Sequence, residues 1–422
     1  MQKAKYTMSD CIPLELISDI LCRLPVKTLI RFKCVSKGWR SLVEDEYFIQ
    51  CHLNRSLDGD GGSIESSNIT KLLLSPVHVL PYEFSYYSYL TDFKSPSDKL
   101  EQILEPYDRV ESVHSKVIGS CNGLLCSLYR SSNHIVIRNV ATRDPGFSVP
   151  YPGIRVPSDR KVACGFGYDK VNDDYKVVII ETLTETSRSV SKVYSLKNHA
   201  WQWSLTVPHG TRFYNTSYCG FAIGVLVAGA LHWSGLNRYA KNPPIKNQKN
   251  QNQKQDIIIA FDIEAEEYRE VPMPDCVEPN LKVRVFGGCL TMINYNDSHT
   301  DREYKYEIWV MKEYNVKESW TKFYSCPFYA MPVAYSRNHD HILCHSLCRG
   351  FLFYYNMGKP AYRKQEICID FSWNFKRFQH VKVFTESLVR ISAYTGVPAY
   401  TGVPGTRGLP SVRKKQSKSR DS

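Results

Sequence analysis

The 422-residue sequence has no Cys-x-x-Cys pair, no apolar run long enough to span a bilayer, and no basic-then-apolar stretch at its start. The longest apolar segment, 220–235, is too short and too rich in glycine for a membrane helix. Its 14 cysteines are scattered from Cys11 to Cys368, many in apolar runs, as is typical of buried free thiols in a reducing compartment. We therefore expect a soluble protein of the cytoplasm, the nucleus or both, without a membrane partner.

The sequence also has little net charge outside two segments. Residues 237–255 and 407–422 each carry a net +5, which leaves only +2 of the total +12 for the rest of the chain. A nucleic-acid groove needs a basic stripe on the folded body, so we expect no nucleic-acid partner. Within the second segment, Arg413-Lys414-Lys415 is either a nuclear-import signal or part of a solvated, disordered end.

Residues 10–52 carry an amphipathic helical pattern interrupted by proline. Apolar residues at positions 16, 17, 20, 21 and 24 follow the spacing of one helical face, and Pro13 suits its first turn. Leu24-Pro25 should end this helix and begin a second. Gly38 should interrupt the second helix, so we predict a third helix around Trp39 and three or four helices in the whole segment. So short a segment cannot bury all these side chains alone, so part of the apolar surface is predicted to face a partner.

This segment resembles the plant F-box in several blocks, among them Leu24-Pro25-Val26-Lys27 and Arg31-Phe32-Lys33-Cys34, with Ile12 in place of the usual leucine. The resemblance implies docking on a Skp-family adaptor and, through it, on the cullin and RING subunits of an SCF ubiquitin ligase. The alternative is an ordinary helical cap packed on the rest of the chain. Candidates for the adaptor face, or for the core directly beneath it, are Pro13, Leu14, Leu16, Ile17, Ile20, Leu21, Leu24, Pro25, Leu29, Val35 and Trp39.

From residue 113 onward the chain repeats. A strand-turn-strand mark recurs at similar spacing around Gly123, Asp173, Gly229, Gly288 and Gly350. A second mark, a strand that closes on proline, recurs with much the same spacing at 149–150, 207–208, 271–272 and 326–327. The shared period of roughly 50 to 60 residues, with several short strands in each unit, is typical of kelch-type propeller blades. We predict five blades in 113–358, with 68–112 and 360–392 as candidates for a sixth.

Motifs in this region resemble the F-box-associated interaction domain of plant F-box proteins. They include 139–143 (Asn-Val-Ala-Thr-Arg, with Val140 departing from the family's proline), 165–169 and 307–314. Residues 311–316 with 319–322 are similar to the branch that regulates pathogenesis-related gene expression and immune-receptor turnover. The pollen S-locus proteins are close relatives, and the choice between the two stays open. The insertion 241–255 is either a specificity loop or a tolerated disordered insertion.

Two patterns suggest chemistry, and both have simpler explanations. Gly119–Gly123 spells a nucleophile elbow with Cys121, but an elbow needs a strand that turns into a helix, and here Asn122-Gly123 favours a hairpin. His339, Asp340, His341, Cys344, His345 and Cys348 are metal-ligand residue types, but strand alternation should scatter them. We therefore predict no catalytic residue, no metal and no cofactor.

Together these patterns predict an α+β multidomain protein, with a small all-α F-box (10–52), a linker (53–67), an all-β kelch-like propeller (68–392) and a disordered basic tail (393–422) that contains a tandem repeat. The resemblance implies a non-catalytic substrate receptor of an SCF ubiquitin ligase that binds an unknown protein substrate through the propeller. The alternative is an adaptor-bound scaffold without ubiquitin-ligase output.

Overall fold

The computed structural model places four helices at the start of the chain and six small sheets after them. It describes residues 13–57, 70–76, 89–92, 101–102, 115–129, 134–143, 146–151, 161–182, 189–204, 207–208, 211–213, 221–237, 255–275, 281–296, 305–326, 330–335, 341–346, 352–356, 365–367 and 378–396. Most of the tyrosine-rich stretch 82–90, which could form a recognition surface or simply cover a sheet, lies outside these residues, as do most of the insertion 241–255 and the tail beyond 396.

Proline and capping residues set the bounds of the four helices. They are α1 (Leu14–Cys22), α2 (Val26–Phe32), α3 (Lys37–Glu44) and α4 (Glu46–Leu57). Pro13 and Pro25 occupy the N-cap positions of α1 and α2, because a residue without an N–H group is tolerated where the helix leaves its first amides unpaired. The predicted stop at Leu24-Pro25 is therefore confirmed.

The third and fourth helices begin at side-chain caps. The Ser36 hydroxyl accepts a hydrogen bond from the Trp39 amide at 3.1 Å, and the Asp45 carboxylate accepts one from the Phe48 amide at 3.0 Å. Gly38 thus lies inside the first turn of α3, and the prediction that it interrupts the helices was wrong, because the Ser36 cap starts the helix before it.

The last helix also runs further than predicted. α4 ends at Leu57, beyond the predicted end of the F-box at 52, so the linker predicted from residue 53 begins inside a helix. Leu53 is buried in the same hydrophobic cluster as the other helices, which explains why the helix continues.

The strands form six sheets in chain order. β1 (Thr70–Pro76), β2 (Tyr89–Asp92) and β3 (Glu101–Gln102) belong to the first sheet. β4 (Ser115–Cys121), β5 (Leu124–Tyr129), β6 (His134–Asn139) and β7 (Phe147–Pro150) form the second. β8 (Lys161–Asp169), β9 (Asp174–Thr182), β10 (Ser189–Ser195) and β11 (Ala200–Ser204) belong to the third.

The remaining strands complete the third sheet and form the other three. β12 (Thr211–Phe213) belongs to the fourth sheet, and β13 (Phe221–Ile223) pairs in parallel with β8 in the third. β14 (Val225–Val227), β15 (Ala230–Asn237), β16 (Gln255–Asp262) and β17 (Tyr268–Val271) complete the fourth. β18 (Lys282–Phe286), β19 (Cys289–Asn296), β20 (Lys305–Met311) and β21 (Trp320–Cys326) form the fifth. β22 (Ala330–Tyr335), β23 (His341–Ser346), β24 (Leu352–Asn356) and β25 (Gln365–Ile367) form the sixth, and β26 (Phe378–Thr385) joins the first before α5 (Ser392–Thr395).

The six sheets form a ring around a channel. β4, β8, β14, β18, β22 and β26 are the inner strands, and most of them contact the inner strand of the next sheet. The ring closes because β26, from the far end of the domain, pairs antiparallel with β1, for example Val383 with Leu72. Leu73 and Phe384 of this first sheet then pack on Leu125 of the second. The predicted kelch-like propeller is confirmed, and the segments proposed for a sixth blade supply the closing sheet.

The repeated pattern around Gly123, Asp173, Gly229 and Gly288 corresponds to turns between paired strands, and its fifth occurrence, around Gly350, lies outside the described residues. Asn122 and Gly123 both have positive φ, 51° and 77°, as expected for a two-residue hairpin between β4 and β5. A second kind of turn follows β6, β8 and β16: their last residues, Asn139, Asp169 and Asp262, each accept hydrogen bonds from the amides two and three residues further on.

The proline mark holds at three of its four positions. Pro150 ends β7, Val271 ends β17 and Cys326 ends β21, each at the predicted place. The prediction was wrong at 207–208, because β11 ends at Ser204 and Val207 packs instead in a hydrophobic cluster with Trp233.

Candidate adaptor-binding surface

An exposed apolar face lies on the first helix. Leu14, Leu16 and Ile20 are 66%, 57% and 55% exposed, although leucine and isoleucine are among the residues most often buried. Leu16 and Ile20 are four residues apart, so they are neighbours on one side of α1. Val35, after α2, is 63% exposed, and Pro13 is exposed at the start of α1.

The other predicted residues lie beneath or at the edge of this face. Leu21 and Leu29 are fully buried and belong to the core. Trp39 is half-buried and meets the Phe32 ring edge-on, at 5.1 Å between centroids. Ile17, Leu24 and Pro25 are likewise half-buried. The structure therefore separates a surface group (Pro13, Leu14, Leu16, Ile20, Val35) from a supporting group, a separation that the sequence left open.

The inner side of the helices packs on the propeller. A single hydrophobic cluster joins Leu21, Leu29 and Phe48 of the helices to residues of the second and third sheets, such as Ile118. The inner side of the helices thus agrees with the alternative prediction, a helical cap packed on the rest of the chain. It does not account for Leu14, Leu16 and Ile20, which remain open to solvent.

A C-terminal segment, residues 386–396, anchors the helices to the ring; we call it the C-terminal strap. Its Leu388, Val389 and Ile391 join the shared hydrophobic cluster. The Arg390 guanidinium donates to the main-chain carbonyl of Glu44 at 2.9 Å. The predicted disordered tail starts at 393, inside α5, so its first residues are helical.

Side chains of the second and third sheets hold the strap in place. The buried Asn139 amide donates to the carbonyls of Ser387 and Val389, at 2.9 and 2.8 Å. The Tyr394 hydroxyl donates to Asp173 at 3.1 Å, and its ring meets that of Tyr175 edge-on, at 4.9 Å between centroids. The adaptor face is therefore carried on a base fixed to the ring at several points.

A charged cluster on the helices was not predicted from the sequence. The Asp19 carboxylate accepts from Arg23 at 2.8 Å and from Arg55 of α4 at 3.1 Å. The hydrogen bond from Arg23 is the main cause that lowers the pKa of Asp19. The Asp19–Arg23 spacing of four residues is a helical signal, whereas Arg55 is distant in sequence. Tyr47, 79% exposed on α4, was also missed, because a single aromatic residue carries no periodicity.

Comparison with known proteins assigns both parts of the chain. The F-box domain model matches residues 9–50, and the F-box associated beta propeller domain model matches residues 75–391.

The chain belongs to the F-box proteins with an F-box-associated β-propeller.

Curated relatives of this F-box protein come from Arabidopsis thaliana. F-box protein CPR1 is 30% identical over 368 residues, covering 79% of this chain and 79% of CPR1. An F-box/kelch-repeat protein is 28% identical over 342 residues, covering 75% of this chain and 79% of that protein. The predicted resemblance to plant F-box proteins with a kelch-like domain is confirmed. An F-box implies binding to a Skp-type adaptor, and proteins of this architecture typically act as substrate adaptors rather than as enzymes.

The candidate nucleophile of this F-box protein lies in a hairpin. Cys121 ends β4 and is followed by a two-residue turn into β5, so no helix follows it. Burial raises the pKa of the Cys121 thiol to about 12, which keeps it protonated at neutral pH and opposes a nucleophilic role.

The candidate metal ligands between 339 and 348 are only partly described, because His339, Asp340 and Cys348 lie outside the described residues. Cys344 packs in the hydrophobic cluster of the fifth and sixth sheets. Among the residues that the structure describes, no group of three or more His, Cys, Asp or Glu side chains converges as a metal site needs. Within the same residues, no helix is long and apolar enough to cross a membrane.

Proposed function

We propose that this protein is the substrate-recognition subunit of an SCF ubiquitin ligase, active in the cytoplasm, the nucleus or both. Its F-box would bind a Skp-family adaptor and, through it, the cullin and RING subunits, and its propeller would bind a protein substrate for ubiquitination and degradation. The observation that carries the proposal is the solvent-exposed pair Leu16 and Ile20 on one face of α1, together with Leu14 exposed at the start of that helix, whose Leu21 is buried in the core. An apolar face of this kind on a folded domain is typical of a protein interface.

The mechanism that we propose is proximity. The receptor performs no bond chemistry; it holds a lysine of the substrate near the ubiquitin-loaded conjugating enzyme and so raises the effective concentration of the two reactants. This role requires that the adaptor face and the propeller keep a fixed geometry. The shared hydrophobic cluster and the Arg390–Glu44 hydrogen bond supply such a connection.

The adaptor step is tested with a double variant, Leu16→Ala with Ile20→Ala. If both side chains, each about half exposed, become buried on binding, their truncation should cost about 2 to 3 kcal/mol, or about 30- to 150-fold in the dissociation constant. Val171→Ala is the matched control, because Val171 is a 67% exposed apolar residue on the propeller. Calorimetric titration with a Skp-family adaptor measures the three constants. Equal affinities for wild type and the double variant would refute this face as the interface.

The ubiquitination step is tested separately by reconstitution with adaptor, cullin, RING subunit and conjugating enzyme. We expect ubiquitin transfer to the receptor or to a protein captured by its propeller, and loss of that transfer in the double variant. A complex that assembles with the cullin but transfers no ubiquitin to any captured protein would favour the scaffold alternative.

A further inference from the structure

The propeller channel contains a cavity of about 400 Å³. Residues of all six inner strands or of the turns next to them line it, for example Gly119 of β4 and Phe166 of β8. Ser56 and Leu57, at the end of α4, form part of the same wall, so the cavity lies at the F-box end of the channel. A volume of this size is in the range of small-molecule sites.

Most side chains in the cavity wall are apolar. Val285 and Val383 are each 37% exposed, although both lie on inner strands of the propeller. The wall also includes Leu226, Met331, Val333 and Val381. Such a wall favours a ligand with a hydrocarbon body, because contact removes apolar surface of both the ligand and the protein from water.

A lysine interrupts this apolar wall. Lys382 lies in the middle of β26, and the pairing of β26 with β1, in which Lys382 is opposite Leu73, fixes its main chain. Its side chain is half-buried and lines the cavity. Burial is the main cause that lowers the pKa of Lys382 to about 8, which still leaves most of the ammonium charged at pH 7.

The Lys382 ammonium has no acceptor in the part of the chain that the structure describes. Other lysines in the propeller differ from it: the buried Lys71 contacts the Glu386 carboxylate at 2.7 Å, and the buried Lys176 contacts that of Asp169 at 2.8 Å. A charge held away from water normally has such a partner, because desolvation is otherwise not offset. A carboxylate in the cavity would supply this partner to Lys382.

The other basic side chain in the wall, Arg284, is already engaged with protein atoms. Its guanidinium donates to the Val283 carbonyl at 2.8 Å and to the Met331 sulfur at 3.2 Å. One carboxylate, which Lys382 can hold alone, is therefore the charge that the cavity requires of a ligand.

We propose that the F-box end of the propeller channel binds a small monocarboxylic acid with an apolar body. The carboxylate accepts charge-assisted hydrogen bonds from the Lys382 ammonium, and the body packs on the apolar wall. The volume of the cavity and the presence of α4 in its wall favour a compact molecule over a peptide threaded along the channel. This site is separate from the adaptor face of Leu16 and Ile20 on α1.

The test uses the purified full chain and pairs of probes that differ only in the charged group: octanoate with octanamide, and phenylpropionate with phenylpropionamide. Calorimetric titration measures each affinity, with sodium acetate as the reference that has a carboxylate but no apolar body. We expect saturable binding of at least one acid to one site, about tenfold or more tighter than its amide. The proposal is wrong if neither acid binds, if the amide binds as tightly as the acid, or if only a synthetic peptide with a free, apolar C-terminus binds.

A charge variant identifies the group that holds the carboxylate. Lys382→Met removes the charge with little loss of volume, so the acid and its amide should bind it with equal affinity. Without ligand the variant should unfold at no lower temperature than wild type, which excludes a folding artefact, because an ammonium without a partner is removed. Lys312→Met, at an exposed position outside the cavity wall, is the matched control. A wild-type preference for the acid in Lys382→Met would overturn the assignment.

A shape variant locates the apolar body. Val285→Phe places a larger side chain in the cavity and should weaken binding of the acid and of its amide about tenfold or more. Val316→Phe is the matched control, because Val316 is 39% exposed and lies between β20 and β21, outside the cavity wall. Wild-type affinity in Val285→Phe would contradict the site. The double variant Leu16→Ala with Ile20→Ala should bind the acid like wild type, so this result does not depend on the adaptor face.

Discussion

Removal of the Asn139 side chain should loosen the C-terminal strap and weaken the packing of the F-box helices on the propeller. Asn139 is fully buried, and its amide makes four hydrogen bonds: two to the strap carbonyls of Ser387 and Val389, and two from the turn amides of Ala141 and Thr142. Asn139→Ala leaves these partners without the side chain that satisfies them. At about 1 kcal/mol for each bond, the loss is about 3 to 5 kcal/mol.

The assay is urea unfolding followed by tryptophan fluorescence, together with amide hydrogen exchange in residues 386–396. We expect the loss of stability together with faster exchange in the strap, beginning with the Val389 amide, which donates to the Ser387 hydroxyl at 3.2 Å. Asn139→Asp separates the two roles, because it keeps the oxygen that accepts from the turn but lacks the amide group that donates to the strap.

Asn172→Ala is the matched control. Asn172 is exposed, and its side-chain amide donates one hydrogen bond, to the Asp169 carboxylate at 2.8 Å. Truncation of this side chain should therefore lower the free energy of unfolding by less than about 1 kcal/mol. A loss below about 1 kcal/mol for Asn139→Ala as well, or unchanged exchange in the strap, would refute the role assigned to Asn139.

Two further changes probe buried charge. Glu386→Gln should cost about 3 kcal/mol in urea unfolding, because Lys71, 2.7 Å away and buried, keeps its charge; Asp275→Asn, in an exposed pair, should cost less than about 1 kcal/mol. For His232, burial lowers the pKa to about 4 from an ordinary value of 6.5. Its contribution to the free energy of unfolding is therefore complete above pH 6.5 and is lost as the pH falls toward 4, because the unfolded chain binds the proton first. Wild type should lose about 2 kcal/mol at pH 5 from this residue, and His232→Phe should show a correspondingly shallower pH dependence of unfolding; equal slopes would contradict the assignment.

The sequence predicts local structure well where a single residue type dictates it. Pro13 and Pro25 mark the starts of helices, and Asn122-Gly123 marks a hairpin. The break predicted at Gly38 failed because a serine cap two residues earlier outweighs the low helix propensity of one glycine.

Features that depend on distant residues could not be predicted in this way. Residues 386–391 of the strap have no periodic pattern of their own, and their conformation is set by partners such as Asn139, far earlier in the chain. Arg284 and Lys382 each look like a single polar residue in a strand, and only closure of the ring brings them to the wall of one cavity. The division of the F-box candidates into exposed and buried residues likewise required the packing of α1 on the propeller.

Closure of the ring by β1 and β26 sets the order of events when the chain is synthesised. β1 begins at Thr70 and its partner ends at Thr385, so translation at about 5 to 20 residues per second separates them by roughly 15 to 60 seconds. During that interval the first sheet lacks its inner strand, and the helices lack the strap residues that join their core. We expect nascent chains that end before Thr385 to be digested readily by protease and full-length chains to resist it; equal resistance would contradict this view. A receptor of this design would become competent to hold a substrate only when nearly all of it has been made.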